Sequence, residues 1–119
     1  MPTRILIVDD HPSFRASARA ILEADGLQVV GEAADGASAL EAIEALEPDV
    51  VLLDVQLPDM TGFDICTVVG GTNGKAGPAI VLVSSRDLDD FGELVESSCA
   101  RGFVPKAELS AEAIAALIA

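Results

Sequence analysis

Five short apolar runs divide the chain, and they constrain its fold more than any other feature. Residues 4–8, 50–53 and 79–83 are rich in β-branched side chains, residues 102–105 form a further short run, and residues 27–31 form a weaker one. Runs of this length and composition are typical of strands that are buried on both faces of a sheet. We therefore predict five strands, with residues 27–31 near the sheet edge.

Helical patterns of apolar residues lie between these runs. The five predicted helices begin at Pro12, after Asp35, at Phe63, at Asp87 and after Ser110. Asp and Ser favour the N-cap position and Pro favours the first turn, whereas Gly26 is a suitable C-terminal cap for the first helix. Strand and helix alternate five times, which predicts one doubly wound α/β domain over residues 1–119. Its five-stranded parallel sheet would carry helices on both faces.

The composition excludes several classes of function. The chain has 20 acidic and 7 basic residues, a net charge of −13, and so lacks the basic surface that direct nucleic-acid binding requires. No apolar run approaches the roughly 20 residues of a membrane helix, and no signal peptide is recognisable, so we expect a cytoplasmic location. Cys66 and Cys99 lack the spacing of a zinc or redox motif, and we expect buried thiols.

Polar residues follow four of the predicted strands at the same end. They are Asp9 and Asp10, Asp54, Ser84, and Lys106. Parallel strands bring their carboxyl ends to one edge, where ligands bind in open α/β sheets. Three crowded carboxylates repel one another unless a cation lies among them, and a hard cation that takes oxygen ligands and retains water indicates Mg²⁺.

Asp54 is the candidate nucleophile of this group. A carboxylate can attack phosphorus and form an aspartyl phosphate. Because the phosphoryl group is also anionic, the attack requires neutralising groups, which Mg²⁺, the Lys106 ammonium and the Ser84 hydroxyl can supply. We expect His11 to be a partly exposed loop residue without a catalytic role.

Four stretches of the sequence resemble the receiver domain of bacterial two-component response regulators. They are residues 5–10, residues 51–54 with Pro58 and Gly62, residues 81–84, and residues 102–106. The resemblance covers essentially the whole chain and implies a flavodoxin-like (βα)5 fold.

The same resemblance implies that Asp54 accepts a phosphoryl group from a sensor histidine kinase. Asp9, Asp10 and Asp54 would hold Mg²⁺ together with the backbone carbonyl of Gln56. The domain would not be an enzyme, beyond self-phosphotransfer and autodephosphorylation.

The resemblance further implies how the phosphorylated state is sensed. Ser84 and Lys106 would each bind a phosphoryl oxygen, and Phe103 occupies the position of an aromatic switch. The surface of the fourth helix, fifth strand and fifth helix would carry the signal. Two positions depart from the family pattern: Ser85 is bulkier than the usual Ala or Gly, and Ala107 replaces the proline that commonly follows the lysine.

Residues 10–12 and the tail after Lys106 most resemble regulators with a helix-turn-helix output. The implied partner is therefore a C-terminal DNA-binding domain outside these 119 residues, and homodimer formation stays open.

Two alternatives belong to other classes. A Mg²⁺-dependent phosphatase with an Asp nucleophile requires a second Asp two residues further on, where this chain has Gln56. A flavodoxin-like cofactor binder requires a phosphate-binding loop after the first strand, where Asp9 and Asp10 would repel phosphate.

Overall fold

The computed structural model describes residues 3–70, 78–85 and 100–118. Its strands form one parallel sheet in the order β2-β1-β3-β4-β5. They are β1 (Arg4–Val8), β2 (Gln28–Ala33), β3 (Val50–Asp54), β4 (Ala79–Ser84) and β5 (Gly102–Pro105). The five-stranded parallel sheet is confirmed, and the weakest strand, β2, lies at an edge as predicted.

The described helices follow the strands in sequence. They are α1 (Pro12–Ala24), α2 (Gly36–Leu46), α3 (Gly62–Gly70), a short 3-10 helix (Lys106–Glu108) and α4 (Ala111–Ile118). The helix predicted over residues 87–100 lies, except for Ala100, within residues 86–99, which are outside the described part. The label α4 therefore corresponds to the fifth predicted helix.

Two hydrophobic cores lie on opposite faces of the sheet because successive side chains of a strand point to opposite sides. One core joins the sheet to α1 and α4, and the other joins it to α2 and α3. The first contains Ile5, Ile7, Leu52, Ala18, Leu22 and Ile114, and the second contains Leu6, Val8, Leu53, Ala39, Ile65 and Cys66. Helices therefore cover both faces, which confirms the flavodoxin-like α/β fold.

The ends of the helices follow the capping chemistry of the sequence. Asp35 accepts a hydrogen bond from the amide of Ser38 at 2.8 Å, and Ser110 accepts one from Ala113 at 3.0 Å. Gly26 adopts φ +93° after α1, a conformation that only glycine takes without strain, and its amide donates to the carbonyl of Glu23.

The prediction for β2 is wrong at its end. The strand continues past Gly31 to Ala33, and its register with β1 shifts between Ile5 and Leu6. A Cβ atom at Gly31 would lie 2.8 Å from the Leu46 side chain. The glycine therefore admits α2 close to the sheet and does not terminate the strand.

The expectation of a free thiol at Cys66 is also wrong. Cys66 is fully buried in α3 and disulfide-bonded, and the described residues contain no free cysteine. Cysteine spacing along a chain does not report distance in space. The chain has one other cysteine, Cys99, which lies outside the described residues.

Candidate functional site

The sheet brings the predicted polar residues to one edge through its strand register. Val8 of β1 pairs with Leu53, and Asp54 of β3 pairs with Val83. Ser84 of β4 pairs with Pro105, the residue before Lys106. Asp9, Asp54, Ser84 and Lys106 therefore lie at the carboxyl edge.

A cleft of about 210 Å³ opens at this edge. Its walls contain residues from all four strand ends and from the loop after β3. They are Asp10, His11, Asp54, Gln56, Leu57, Pro58, Ser84, Ser85 and Lys106. Asp54 and Ser84 are each only 5% exposed, so the cleft reaches them at its floor.

Asp9 lies beneath the cleft and is paired. Its Oδ2 lies 2.5 Å from Lys106 Nζ, and its Oδ1 accepts from the backbone amide of His11 at 2.8 Å. Burial alone would raise the pKa of Asp9, but the hydrogen bonds from Lys106 and His11 outweigh burial and lower it. Asp9 therefore stays ionised as the counter-ion of Lys106.

Asp54 is in a different electrostatic state. Its Oδ2 lies 3.6 Å from Lys106 Nζ, and its Oδ1 accepts from the amide of Gln56 at 3.2 Å. Burial and the nearby charge of Asp9 raise the pKa of Asp54 to about 6, and Lys106 offsets them only in part. A cation close to Asp54 would relieve this repulsion.

Lys106 is held from three directions. Its ammonium contacts Asp9 and Asp54 and lies 4.5 Å from the ring centroid of Phe14 on α1, which is a cation–π distance. The described residues contain no cis peptide bond, and Ala107 continues from Lys106 into the 3-10 helix. The lysine thus reaches the site without a following proline.

The donor set at the edge fits a divalent cation. Asp9, Asp10, His11 and Asp54 each offer one ligand atom, and these atoms lie within 4.8 Å of one another. Carboxylate oxygens suit Mg²⁺, and the Asp10 side chain, 38% exposed, is accessible to an ion that keeps part of its water. Gln56 also lines the cleft.

Two supporting residues are absent from the sequence predictions. Arg15 Nη1 donates to the backbone carbonyl of Asp9 at 2.6 Å, and its Nε pairs with Glu32 on β2 at 3.1 Å. Asp59, in the loop after β3, accepts from the α2 amides of Gly36 at 2.7 Å and Ala37 at 3.0 Å. The contacts of Arg15 with Glu32 and of Asp59 with Gly36 join residues distant in sequence, and no local pattern signals them.

Of the remaining predicted residues, Ser85 lines the cleft and Phe103 does not. Ser85 lies at its mouth and is exposed, next to the buried Ser84. Phe103 is half-buried and packs against the core on the α2 and α3 face.

The sequence profile of the response regulator receiver domain matches residues 5–118. The chain belongs to this family. The family is that of two-component signalling proteins, and receiver domains are in general signalling domains and not enzymes.

Curated relatives of this receiver domain include DNA-binding regulators. It is 41% identical over 91 residues to the nitrate/nitrite response regulator protein NarP of Escherichia coli, covering 76% of this chain and 42% of NarP. It is 31% identical over 112 residues to the DNA-binding transcriptional activator EvgA of Escherichia coli, covering 94% of this chain and 54% of EvgA. The chain thus spans about half the length of these relatives.

Solved structures show the same fold. The signal receiver domain of NarL from Mycobacterium tuberculosis superimposes with a TM-score of 0.86 at 32% identity, covering 98% of this chain and 97% of that chain. The chemotaxis response regulator CheY4 of Vibrio cholerae gives a TM-score of 0.82 at 25% identity, covering 99% and 97%.

Proposed function

We propose that this receiver domain takes a phosphoryl group on Asp54 from the phosphohistidine of a sensor histidine kinase. The observation that carries the proposal is the position of Asp54, a buried carboxylate at the floor of an open cleft, 3.6 Å from the Lys106 ammonium. A buried carboxylate without such access would have no route to a phosphoryl donor.

The transfer is a displacement at phosphorus. An Asp54 Oδ atom forms the new O–P bond while the N–P bond to the kinase histidine breaks, and the electron pair stays on the imidazole nitrogen. The Lys106 ammonium offsets charge on one phosphoryl oxygen, and the Ser84 hydroxyl donates to another. Hydrolysis of the acyl phosphate by water returns the free carboxylate, and Ser85 at the cleft mouth limits water access.

Asp9, Asp10 and Asp54 would hold Mg²⁺ with the backbone carbonyl of Gln56. Bound Mg²⁺ supplies neutralisation of the carboxylate and phosphoryl charges. The proximity of the carboxylates and the raised pKa of Asp54 support this assignment, since both reflect negative charge without enough compensation.

We propose that phosphorylation is sensed through Ser84 and Phe103. Ser84 ends β4 and Phe103 lies in the paired strand β5, so a shift of one strand reaches the other directly. The responding surface is that of the predicted fourth helix, β5 and α4, of which the predicted fourth helix lies outside the described residues.

The names of the relatives support an output in transcription. NarP is a response regulator and EvgA a DNA-binding activator, and each is about twice the length of the matched segment. We propose that a DNA-binding output domain or partner reads the phosphorylated surface, with a homodimer as one form of the active state, in the cytoplasm. None of the helices over residues 3–70, 78–85 and 100–118 could cross a membrane.

The test is phosphorylation by acetyl phosphate with Mg²⁺, followed by intact mass spectrometry. We expect one phosphoryl adduct per chain, lost in Asp54→Asn and retained in Asp25→Asn, a matched change at the exposed end of α1. An adduct that persists in Asp54→Asn would overturn the assignment. Continuous turnover of a phosphate ester would favour the phosphatase alternative instead.

A further inference from the structure

His11 places the imidazole among the carboxylates of the site. Its Nδ1 lies 2.9 Å from Asp9 Oδ1 and 3.1 Å from Asp10 Oδ1. The side chain is 63% exposed and lines the cleft, so an ion arriving from solvent would meet the ring together with Asp10. The signalling chemistry proposed above assigns this ring no task.

The local backbone holds His11 in this position. His11 is the N-cap of α1, its amide donates to Asp9 Oδ1, and Pro12 begins the helix immediately after it. Arg15 from the next turn donates to the Asp9 carbonyl at 2.6 Å. The imidazole and the two carboxylates are therefore arranged before any ion binds, which lowers the ordering cost of binding.

The distances within this group match a ligand set. Ligands about 2.1 Å from one ion in adjacent octahedral positions lie about 3.0 Å apart. His11 Nδ1 is hydrogen-bonded to Asp9 Oδ1 at 2.9 Å and lies 3.1 Å from Asp10 Oδ1, and these two distances bracket that separation. A bound ion would take the place of the hydrogen that these atoms share. One atom each from Asp9, Asp10, His11 and Asp54 lies within 4.8 Å of the others, so no large rearrangement is required.

Ligand chemistry then determines which ion binds more tightly because of the His11 imidazole. Mg²⁺ prefers oxygen ligands and water, whereas imidazole nitrogen suits Zn²⁺ and its first-row neighbours. We propose that His11 is a metal ligand that increases the preference of the site for a first-row transition dication over Mg²⁺. Such an ion would compete with Mg²⁺ for the carboxylates. The proposal uses the carboxylates of the proposed function but does not depend on phosphorylation.

The test uses Zn²⁺ as the probe and the imidazole as the reporter. The chain contains one histidine, so the ring-nitrogen NMR signals of the ¹⁵N-labelled protein belong to His11 alone. We expect Zn²⁺ to move the Nδ1 signal much further than Mg²⁺ does, because Zn²⁺ would bond to the nitrogen whereas Mg²⁺ would act on it only through Asp9 and Asp10. Equal shifts of the ring signal when the site is saturated with each ion in turn would refute the proposal without any variant.

Calorimetric titration of His11→Ala gives the selectivity. Carboxylates alone also bind Zn²⁺ more tightly than Mg²⁺, so the decisive quantity is the change on removing the ring. We expect the Kd for Zn²⁺ to rise about tenfold or more and the Kd for Mg²⁺ to change less than about twofold. An equal Zn²⁺ affinity in both proteins would contradict a ligand role. If His11→Ala does not fold, His11→Asn replaces it.

Acetyl phosphate labelling in Mg²⁺ without Zn²⁺ separates this proposal from the proposed function. A wild-type chain that binds Zn²⁺ through the ring but takes no phosphoryl group would overturn the proposed function and support the metal selectivity. A chain that is phosphorylated but in which Zn²⁺ shifts the His11 ring signal no further than Mg²⁺ does would support the proposed function and overturn the metal selectivity.

Discussion

The carboxyl ends of β1 and β3 each present a buried aspartate, yet only one of the two is neutralised. Asp9, after β1, pairs with Lys106 at 2.5 Å, and its pKa is lowered. Asp54, at the end of β3, lies 3.6 Å from the same ammonium, and its pKa is raised to about 6. One cation shared unequally thus gives two carboxylates different properties.

The difference separates structural from reactive charge. Asp9 is fully buried beneath the cleft, whereas Asp54 lines it. The enclosed Asp9 carboxylate holds Lys106 in place, besides its proposed part in the Mg²⁺ site. The accessible Asp54 carboxylate has excess negative potential, which attracts a cation and suits attack on an electrophile. Two changes test this division, and a third tests the loop that follows Asp54.

Removing the shared cation should have the largest effect. In Lys106→Met the charge of Asp9 is left buried and unpaired, so we expect a loss of about 3 kcal/mol in the free energy of unfolding at pH 7. Urea denaturation without divalent ions measures it. Adding Asp9→Asn should recover most of the loss because the unpaired charge is then absent. A loss below about 1 kcal/mol in the single variant would show that Asp9 is already solvated.

Removing the charge of Asp54 should raise the free energy of unfolding at neutral pH, whereas removing Lys106 lowers it. Because its folded pKa is raised from 3.8 to about 6, its contribution to stability is fully present below pH 3.8 and is lost as pH rises through about 6. Asp54→Asn should therefore be more stable than wild type at pH 7.5, by up to about 3 kcal/mol, and equal to it near pH 3.5.

Denaturation curves at both pH values, without metal, measure this difference. Asp25→Asn, at the exposed end of α1, is the matched control and should have the free energy of unfolding of the wild type at both pH values. A destabilised Asp54→Asn at pH 7.5 would mean that Lys106 neutralises both aspartates.

The smallest effect should come from the loop after β3. Asp59 accepts from the amides of Gly36 and Ala37, and these hydrogen bonds, with that of Gly36 foremost, lower its pKa. In Asp59→Ala, α2 loses two acceptors at its N-terminus, so the Tm should fall by a few degrees.

Hydrogen exchange at the amides of Gly36 and Ala37 locates this effect. Exchange should accelerate in Asp59→Ala and stay unchanged in Asp25→Ala. Unchanged exchange in Asp59→Ala would show that Asp35 alone caps the helix.

Local chemistry made much of this molecule predictable. Asp35, Ser110 and Gly26 act within a few residues of their own positions, so the sequence predicts their caps correctly. The convergence of Asp9, Asp54, Ser84 and Lys106 was also predictable, because parallel strands share a carboxyl edge.

What could not be predicted depends on distances set by the whole fold. Lys106 neutralises Asp9 more than Asp54 because its Nζ lies less than 2 Å closer to the Asp9 carboxylate than to that of Asp54. Phe14 contacts Lys106 from a different element, α1. The continuation of β2 past Gly31 could not be predicted for the same reason, because only the position of Leu46 explains the glycine. The roles of Asp54, Ser84 and Lys106 in phosphotransfer are predictions, which the labelling experiment tests.

The anchoring of Arg4 affects the order in which this chain can assemble. Its guanidinium donates to the carbonyls of Leu46 and Glu47, and its amide donates to Asp49, across more than forty residues. β1 also has both its partners, β2 and β3, later in the chain. On the ribosome, the first strand to emerge must therefore wait for residue 54 before both its edges are covered, which exposes it to pairing with other chains meanwhile.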